Sequence, residues 1–258
     1  RGSGGLRGQG RAAAACPRQR ARGEPWMKDG LFDFEDLDVC EDEERFRHAP
    51  TSYTFAGTEC LIEQRRLPSE NRPELTGSEV WPAALALARH LERESLGEDV
   101  ARLAAYLAQG RARPPCRPRD APQGRRVLEL GAGLGLVGLA ARALGARRVY
   151  LTDVPEAILG LQRNVRLNGL AGARGGTCEV LELDWRQPAA CGLPGRVADL
   201  ICCSDCVLWP ELFAPLCETL DYFLGEEGVA LLSVVFRGGD VRGFFELLRA
   251  RLELQEVW

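Results

Sequence analysis

Residues 127–153 read VLELGAGLGLVGLAARALGARRVYLTD, and this stretch decides the fold class. The short apolar run VLEL is followed by four glycines within eight residues, then by an apolar segment of helical spacing and a second apolar run ending at Asp153. The pattern predicts a strand, a glycine turn, a helix and a second strand, which is the repeating unit of a parallel sheet. Glycine at the turn lets the backbone bend sharply and come close to a ligand.

The alternation of strand and helix continues to the end of the chain. Further apolar runs are TCEVLELDW, ADLICCSD, GVALLSVV and LELQEVW, and predicted helices cover residues 134–144, 155–168, 210–224 and 240–251. Right-handed crossovers then give a mostly parallel twisted sheet with helices on both faces, a Rossmann-like α/β fold. Ligands bind such sheets beyond the carboxyl ends of the strands, so functional residues are expected in those loops.

Two regions precede this predicted core, which covers residues 125–258. Residues 1–49 are rich in Arg and Gly at first and acidic afterwards, which predicts a disordered arm that is basic and then acidic. Residues 50–108 begin with alternating apolar and polar positions around Ala56, as in a β-hairpin. A helix follows, for which Ser78 is the expected N-cap.

Composition narrows the class of function. The 33 Lys and Arg against 37 Asp and Glu give a formal net charge of −4, so nothing favours nucleic acid as a partner. No run reaches the roughly 18 apolar residues of a membrane-spanning helix. Only one CxxC pair, Cys203 and Cys206, occurs among ten cysteines, which predicts reduced thiols and no metal site. We expect a monomer in the cytoplasm or nucleus, although the Arg-rich start is also typical of mitochondrial transit segments.

The glycine loop by itself is compatible with a dinucleotide. Gly133, Gly135 and Gly138 satisfy the spacing of the dinucleotide fingerprint. Asp153, at the end of the next predicted strand, stands where a ribose-binding acid is expected. An NAD-dependent dehydrogenase therefore stays open at this point.

Two further features favour S-adenosylmethionine as the cofactor. Glu129 stands just before the glycines, where a carboxylate can face a ligand that carries an amino group and a sulfonium instead of a pyrophosphate. Asp184 and Trp185 end the third strand, with an acceptor for an adenine amino group and a ring to cover the base. The combination predicts a methyltransferase.

With these motifs the chain resembles the seven-β-strand protein-lysine methyltransferases of the methyltransferase-like superfamily. The resemblance covers most of residues 50–258 and is carried by EVWPAALALARHLE, VLELGAGLGLVGLAARALGARRVYLTD, NVRLN, LELDW and ADLICCSDCVLWPELFAPLCETL. It implies a class I methyltransferase fold and methyl transfer to a lysine of a chaperone, an ATPase or a translation factor. It also implies a cofactor pocket lined by Trp81, Gly131, Ala132, Gly133, Asp153, Trp185 and Ser204, to which the residues themselves add Glu129, Gly135 and Asp184.

The same resemblance implies a substrate site around Asp205, which matches the acid of the family's D-x-x-Y motif. Leu208 replaces the tyrosine of that motif, and we expect the next residue, Trp209, to form an aromatic wall over the amine. The alternative for Asp205 is an acid that stabilises the N-terminus of the helix near Pro210.

The end of the sequence gives a further expectation. The chain stops about where the sixth strand should end, so we predict that the antiparallel seventh strand of the fold is missing. Two other functions stay open. One is a small-molecule methyltransferase on the same fold, because the cofactor loop does not indicate the acceptor. The other is a methyltransferase-like binding module without activity, which Leu208 and the missing strand favour.

Overall fold

The computed structural model describes residues 49–64, 76–96, 120–170, 177–236 and 241–254. Apart from its last residue, the predicted arm lies outside the described residues, as does the part of the predicted hairpin and helix region beyond residue 96. The described elements are β1 (Thr51–Phe55), β2 (Thr58–Ile62), α1 (Pro82–Leu96), β3 (Arg126–Leu130), α2 (Leu136–Ala143), β4 (Arg148–Asp153), α3 (Pro155–Leu167), β5 (Cys178–Glu182), β6 (Ala198–Ser204), α4 (Phe213–Phe223), β7 (Leu224–Ser233) and α5 (Arg242–Arg249).

Five strands form one sheet in the order β5-β4-β3-β6-β7, and all four pairings in it are parallel. The direction of winding reverses between β3 and β6, so the carboxyl ends of these two strands border the crevice in which ligands of such sheets bind. Strands β1 and β2 form a separate antiparallel hairpin that turns at Ala56 and Gly57. The predicted Rossmann-like sheet and N-terminal hairpin are confirmed.

The sheet has a hydrophobic core on each face. Val127 of β3 packs with α1, α2, α3 and the hairpin, whereas Leu128 and Leu130 pack with α4 and α5. The alternation of β3 side chains between the two faces explains why VLEL is apolar at nearly every position. Fully buried aromatic side chains such as Phe55 and Phe244 contribute about 1.5–3 kcal/mol each by leaving water.

The prediction that the seventh strand is missing is wrong. The described residues contain seven strands, and the seventh, Leu224–Ser233, pairs with β6 at the edge of the sheet. Its ten residues extend the predicted run GVALLSVV towards the N-terminus. The run LELQEVW is not a strand where it is described, at residues 252–254, because the chain leaves α5 there without pairing to the sheet.

The predicted N-cap of α1 is also wrong. Ser78 ends a short 3-10 turn, Thr76–Ser78, and the helix begins only at Pro82. The carbonyl oxygen of Trp81 accepts the first helical N–H groups, at 3.0 and 3.3 Å. Proline needs no N–H partner and has a helical φ, so it fixes the start of the helix three residues later than expected.

Among the described residues, no helix is long and apolar enough to cross a membrane, and no cluster of three or more potential metal ligands occurs. The cysteines in these parts of the chain are free thiols, and six of the seven are buried.

Candidate active site

The loop between β3 and α2 is built on glycines with left-handed backbone. Gly131, Gly133 and Gly135 have φ values of 61°, 53° and 83°, which residues with side chains rarely adopt. A Cβ atom on Gly131 would lie 2.7 Å from Sγ of Cys206 and 3.3 Å from Cζ2 of Trp185. The Cys206 thiol and the Trp185 ring therefore pack directly against the Gly131 backbone, beside the crevice expected at the reversal between β3 and β6.

Asp153, the last residue of β4, holds the glycine loop in place. Its Oδ2 atom accepts the N–H of Gly133 at 2.6 Å, and its Oδ1 atom accepts the N–H of Val154 at 2.7 Å. Burial raises the pKa of Asp153, although both N–H groups act in the opposite direction. The carboxyl group thus stands at the loop where the sequence places it, and its contact with a ribose stays a prediction.

Glu129 lies inside the protein and caps helix α2. It is 1% exposed, and its Oε2 atom accepts the N–H of Gly138, in the first turn of α2, at 2.7 Å. The helix comes close to the sheet here, because a Cβ on Gly138 would overlap the Leu151 side chain and lie 2.8 Å from Oε2 of Glu129. The sequence did not reveal this interior partner, and a contact of Glu129 with a cofactor stays a prediction.

Replacing Glu129 with glutamine is expected to flatten the pH dependence of stability. Burial raises the pKa of Glu129 to about 8, whereas an unfolded glutamate titrates near pH 4.3. Because the folded pKa is the higher one, the stability gained from the neutral side chain is full below about pH 4 and is lost as the pH rises towards about 8.

Urea unfolding between roughly pH 5 and pH 8 tests this expectation. The unfolding free energy of the wild type should fall, relative to Glu129→Gln, by up to about 1.4 kcal/mol per pH unit. Identical pH profiles for the two proteins would mean that Glu129 is ionised in the fold.

The third predicted strand end contains Asp184 and Trp185 beside the loop. The Asp184 carboxylate forms a two-fold hydrogen bond with the Arg186 guanidinium, at 2.9 and 2.7 Å, which lowers the pKa of Asp184. The carbonyl oxygen of Trp185 accepts the hydroxyl of Thr219 at 3.0 Å. The Trp185 ring lies beside Gly131. A bond from Asp184 to adenine would have to form while Asp184 also pairs with Arg186.

Residues 76–81 form a further wall on the other side of the loop. A Cβ on Gly133 would lie 3.5 Å from Cα of Gly77, so the two backbones touch directly. Trp81, four residues later, is 38% exposed and directly precedes helix α1, whose first N–H groups its carbonyl oxygen accepts. Sequence reasoning selected Trp81 and missed Gly77, although a glycine just before EVW indicates a close approach of backbone.

Strand β6 ends at the predicted substrate site. Ser204 pairs with Ser233 of β7, and the N–H of the next residue, Asp205, donates to the carbonyl oxygen of Ser233 at 2.7 Å. Asp205 is 8% exposed and has a φ of 57°, a left-handed conformation that Asp and Asn adopt more readily than other residues with side chains. Asp205 adjoins Cys206, so the carboxyl-bearing residue stands next to the crevice wall.

Trp209 follows on the outer side of this site. It is 38% exposed, and its carbonyl oxygen accepts the N–H of Leu212 at 2.9 Å, in a 3-10 turn over Pro210–Leu212. Leu208, which stands in the place of the family tyrosine, is half-buried. The aromatic side chain available to an incoming substrate at this position is therefore Trp209.

The structure brings most of the predicted cofactor residues to one edge of the sheet. Ala132, in the same loop, is buried and its N–H donates to the carbonyl oxygen of Thr152 at 2.9 Å. The sequence predicts Cys206 only as a reduced thiol of the CxxC pair, whereas in the structure its Sγ is the atom nearest to a Cβ placed on Gly131, at 2.7 Å. Spacing gave no sign of this contact, because it joins residues 75 positions apart through the pairing of β3 with β6.

The sequence profile of the family described as "Lysine methyltransferase" matches residues 66–251. The chain belongs to this family. The match covers the glycine loop, Asp153, Trp185 and Asp205, so the family resemblance seen in the motifs is confirmed.

Curated relatives of this chain include several proteins named as protein-lysine methyltransferases. Protein N-lysine methyltransferase METTL21A of Danio rerio is 38% identical over 135 residues, which are 52% of this chain and 61% of that protein. The protein-lysine methyltransferase METTL21E of Mus musculus is 27% identical over 207 residues, 80% of this chain and 72% of that protein. The EEF1A lysine methyltransferase 3 of Xenopus tropicalis is 28% identical over 189 residues, 72% and 67% of the two chains. The chain thus spans about three fifths of the length of METTL21A.

Among solved structures, the T. thermophilus 16S rRNA N2 G1207 methyltransferase RsmC, in complex with AdoMet and guanosine, has a similar fold. The TM-score is 0.50 at 21% identity, and the match covers 80% of this chain and 46% of RsmC. Likeness at this identity concerns the fold, and it confirms the predicted methyltransferase architecture.

Proposed function

We propose that this chain transfers the methyl group of S-adenosylmethionine to the side-chain amine of a lysine in a protein substrate. Membership of the lysine methyltransferase family supports the reaction. The observation that carries the proposal for this chain is the buried carboxyl-bearing residue Asp205, one residue from the crevice wall at Cys206. A carboxylate at the carboxyl ends of the strands suits an amine substrate.

The residues of the loop fit S-adenosylmethionine better than a dinucleotide. The N–H groups of Ala132, Gly133 and Gly135 already donate to protein oxygens at 2.6–2.9 Å. In the first turn of α2 the Gly138 N–H donates to Glu129. A pyrophosphate binds through free N–H groups at such a helix start, and here it would meet a carboxyl group instead. A cofactor with a sulfonium and an amino group does not need free N–H groups at the start of this helix.

Three groups of this chain would hold the cofactor. Asp153 offers carboxylate oxygens beside the loop for ribose hydroxyls, the Trp185 ring offers an apolar face for adenine, and the glycine loop offers a backbone that a ligand can approach closely. When bound, S-adenosylmethionine supplies the electrophilic methyl group, so the protein has to supply alignment and a reactive amine.

The amine has to be neutral to attack. Only about one lysine in a thousand is uncharged near neutral pH, which corresponds to roughly 4 kcal/mol. We assign to Asp205 the orientation of the incoming ammonium until its proton leaves to water, and to Trp209 the aromatic wall over the amine. Partial burial of the amine then favours its neutral form.

The class of the substrate protein is a separate part of the proposal. Relatives carry names that point to different substrates, EEF1A in one case and calmodulin in another, an Arabidopsis thaliana enzyme that is 35% identical over 40% of this chain. We propose a protein substrate of the chaperone, ATPase or translation-factor class. The free thiols of the described cysteines support a reducing compartment, the cytoplasm or nucleus.

Calorimetric titration and isotope labelling test the proposal together. The chain should bind S-adenosylhomocysteine and not NAD, and incubation with labelled S-adenosylmethionine and cell extract should label a protein band on lysine. NAD binding without S-adenosylhomocysteine binding would indicate a dehydrogenase. Label confined to small molecules would indicate a small-molecule methyltransferase, and cofactor binding without any label would favour the inactive binding module.

A further inference from the structure

Two asparagines of the NVRLN motif hold the outer edge of strand β2. Oδ1 of Asn168 accepts the N–H of Leu61 at 2.8 Å, and its Nδ2 donates to the Leu61 carbonyl oxygen at 2.7 Å. Oδ1 of Asn164 accepts the N–H of Glu63 at 2.8 Å, and its Nδ2 lies 3.4 Å from the Glu63 carbonyl oxygen. Residues four apart on a helix and two apart on a strand are both separated by about 6–7 Å. The two side-chain amides can therefore bond the backbone groups that a neighbouring strand would otherwise bond.

Only one of the two asparagines also contacts the glycine loop. Nδ2 of Asn164 donates to the carbonyl oxygen of Leu134, between Gly133 and Gly135, at 3.0 Å. Asn168 instead donates to the Asn164 carbonyl oxygen at 2.7 Å. Asn164 is fully buried, so water cannot replace its partners if the amide is removed.

The strand held by this clamp leads to the other wall of the site. Oε1 of Gln64, two residues beyond β2, accepts the N–H of Val80 at 3.0 Å. Val80 directly precedes Trp81, and Gly77 touches the backbone of Gly133. The hairpin, residues 76–81 and the glycine loop are thus joined through side-chain amides.

We propose that Asn164 is a positioning residue that couples the hairpin to the cofactor loop. By bonding Glu63 of the hairpin and Leu134 of the loop with a single amide, it makes the position of one depend on the other. Coupling of this kind is reciprocal, so cofactor binding also restrains the hairpin. The part of this inference that concerns cofactor affinity rests on the proposed function.

Asn164→Ala and Asn168→Ala form a matched pair for the test. Both variants remove an amide that bonds the end of the hairpin, at Leu61 or Glu63, and only the first removes the bond to Leu134. The hairpin keeps a second attachment in each, because the N–H of Ala56 donates to Glu92 of α1 at 2.7 Å. If Asn164→Ala does not fold, Asn164→Asp keeps an acceptor for the Glu63 N–H and loses the donor to Leu134.

Hydrogen exchange on the ligand-free proteins is the first measurement. Asn164→Ala should speed amide exchange in residues 131–138 by about tenfold, the effect of one lost buried hydrogen bond, whereas Asn168→Ala should speed it only in residues 51–63. Equal changes in the glycine loop for both variants, or none for Asn164→Ala, would overturn the inference and leave the clamp a purely structural device.

Affinity for S-adenosylhomocysteine is the second measurement. We expect it to weaken about tenfold in Asn164→Ala and to stay within about twofold in Asn168→Ala. In the wild type, added S-adenosylhomocysteine should slow exchange in residues 51–63, and this protection should disappear in Asn164→Ala. A wild type that binds no S-adenosylhomocysteine would contradict the proposed function, while the ligand-free exchange data would still decide the role of Asn164.

Discussion

Gly131→Ala should weaken S-adenosylhomocysteine binding about a hundredfold, because an alanine there combines backbone strain with overpacking. Its φ of 61° is costly for alanine. The new methyl group would also lie 2.7 Å from the Cys206 thiol and 3.3 Å from the Trp185 ring. Both walls of the crevice would have to move. Isothermal titration of the purified variant measures the loss.

Gly124→Ala is the matched control for this substitution. Gly124 also has a left-handed backbone, with a φ of 73°, but no atom lies within 4 Å of a Cβ placed there. This control should lose stability, by about 1–2 kcal/mol, and keep the affinity of the wild type. Adding Cys206→Ala to Gly131→Ala should restore part of the affinity, because it removes the nearest atom. Unchanged binding by Gly131→Ala would show that the crevice is not the cofactor site.

Asp205→Asn is expected to reduce the rate of methyl transfer about a hundredfold while cofactor affinity stays within about threefold. Asparagine preserves the shape of the side chain and tolerates the left-handed φ of 57°, so the fold should be retained. It lacks the charge that orients an ammonium group. Single-turnover transfer to the labelled substrate protein, at saturating cofactor, measures the effect.

Two comparisons make the result for Asp205 specific. Asp205→Gly fits the same backbone and lacks the carboxyl group, so it should be as inactive as Asp205→Asn. Glu226→Gln removes an exposed carboxylate near the start of β7, the end of the strand opposite the site, and should leave the rate unchanged. Full activity in Asp205→Asn would assign Asp205 to the start of the following helical turn and leave the orientation of the amine to another group.

Much of the fold was readable because it follows from periodicity. The strand VLEL, the glycine turn and the helix after it lie where the sequence predicted them, since buried parallel strands and amphipathic helices leave distinct apolar patterns. The start of α1 was misplaced, because Pro82 decides it and the more familiar cap Ser78 does not.

The sequence predicted which residues lie at the site, but it did not predict their hydrogen-bond partners. The sequence placed Asp153 and Trp185 at strand ends but could not show that Glu129 turns inward to Gly138 or that Arg186 pairs with Asp184. Hydrogen-bond partners depend on which face of an element a side chain occupies and on distant packing, and neither is encoded in local spacing. The contact between Gly131 and Cys206 has the same origin.

The left-handed backbone of Asp205 has an evolutionary consequence. Only glycine, asparagine and aspartate adopt this conformation at little cost, so the position tolerates few replacements. Both tolerated alternatives are one nucleotide change away from aspartate, and both remove the charge. A single mutation could therefore abolish methyl transfer without disturbing the fold, and descendants of this lineage could keep a cofactor-binding body that recognises its partner and no longer modifies it.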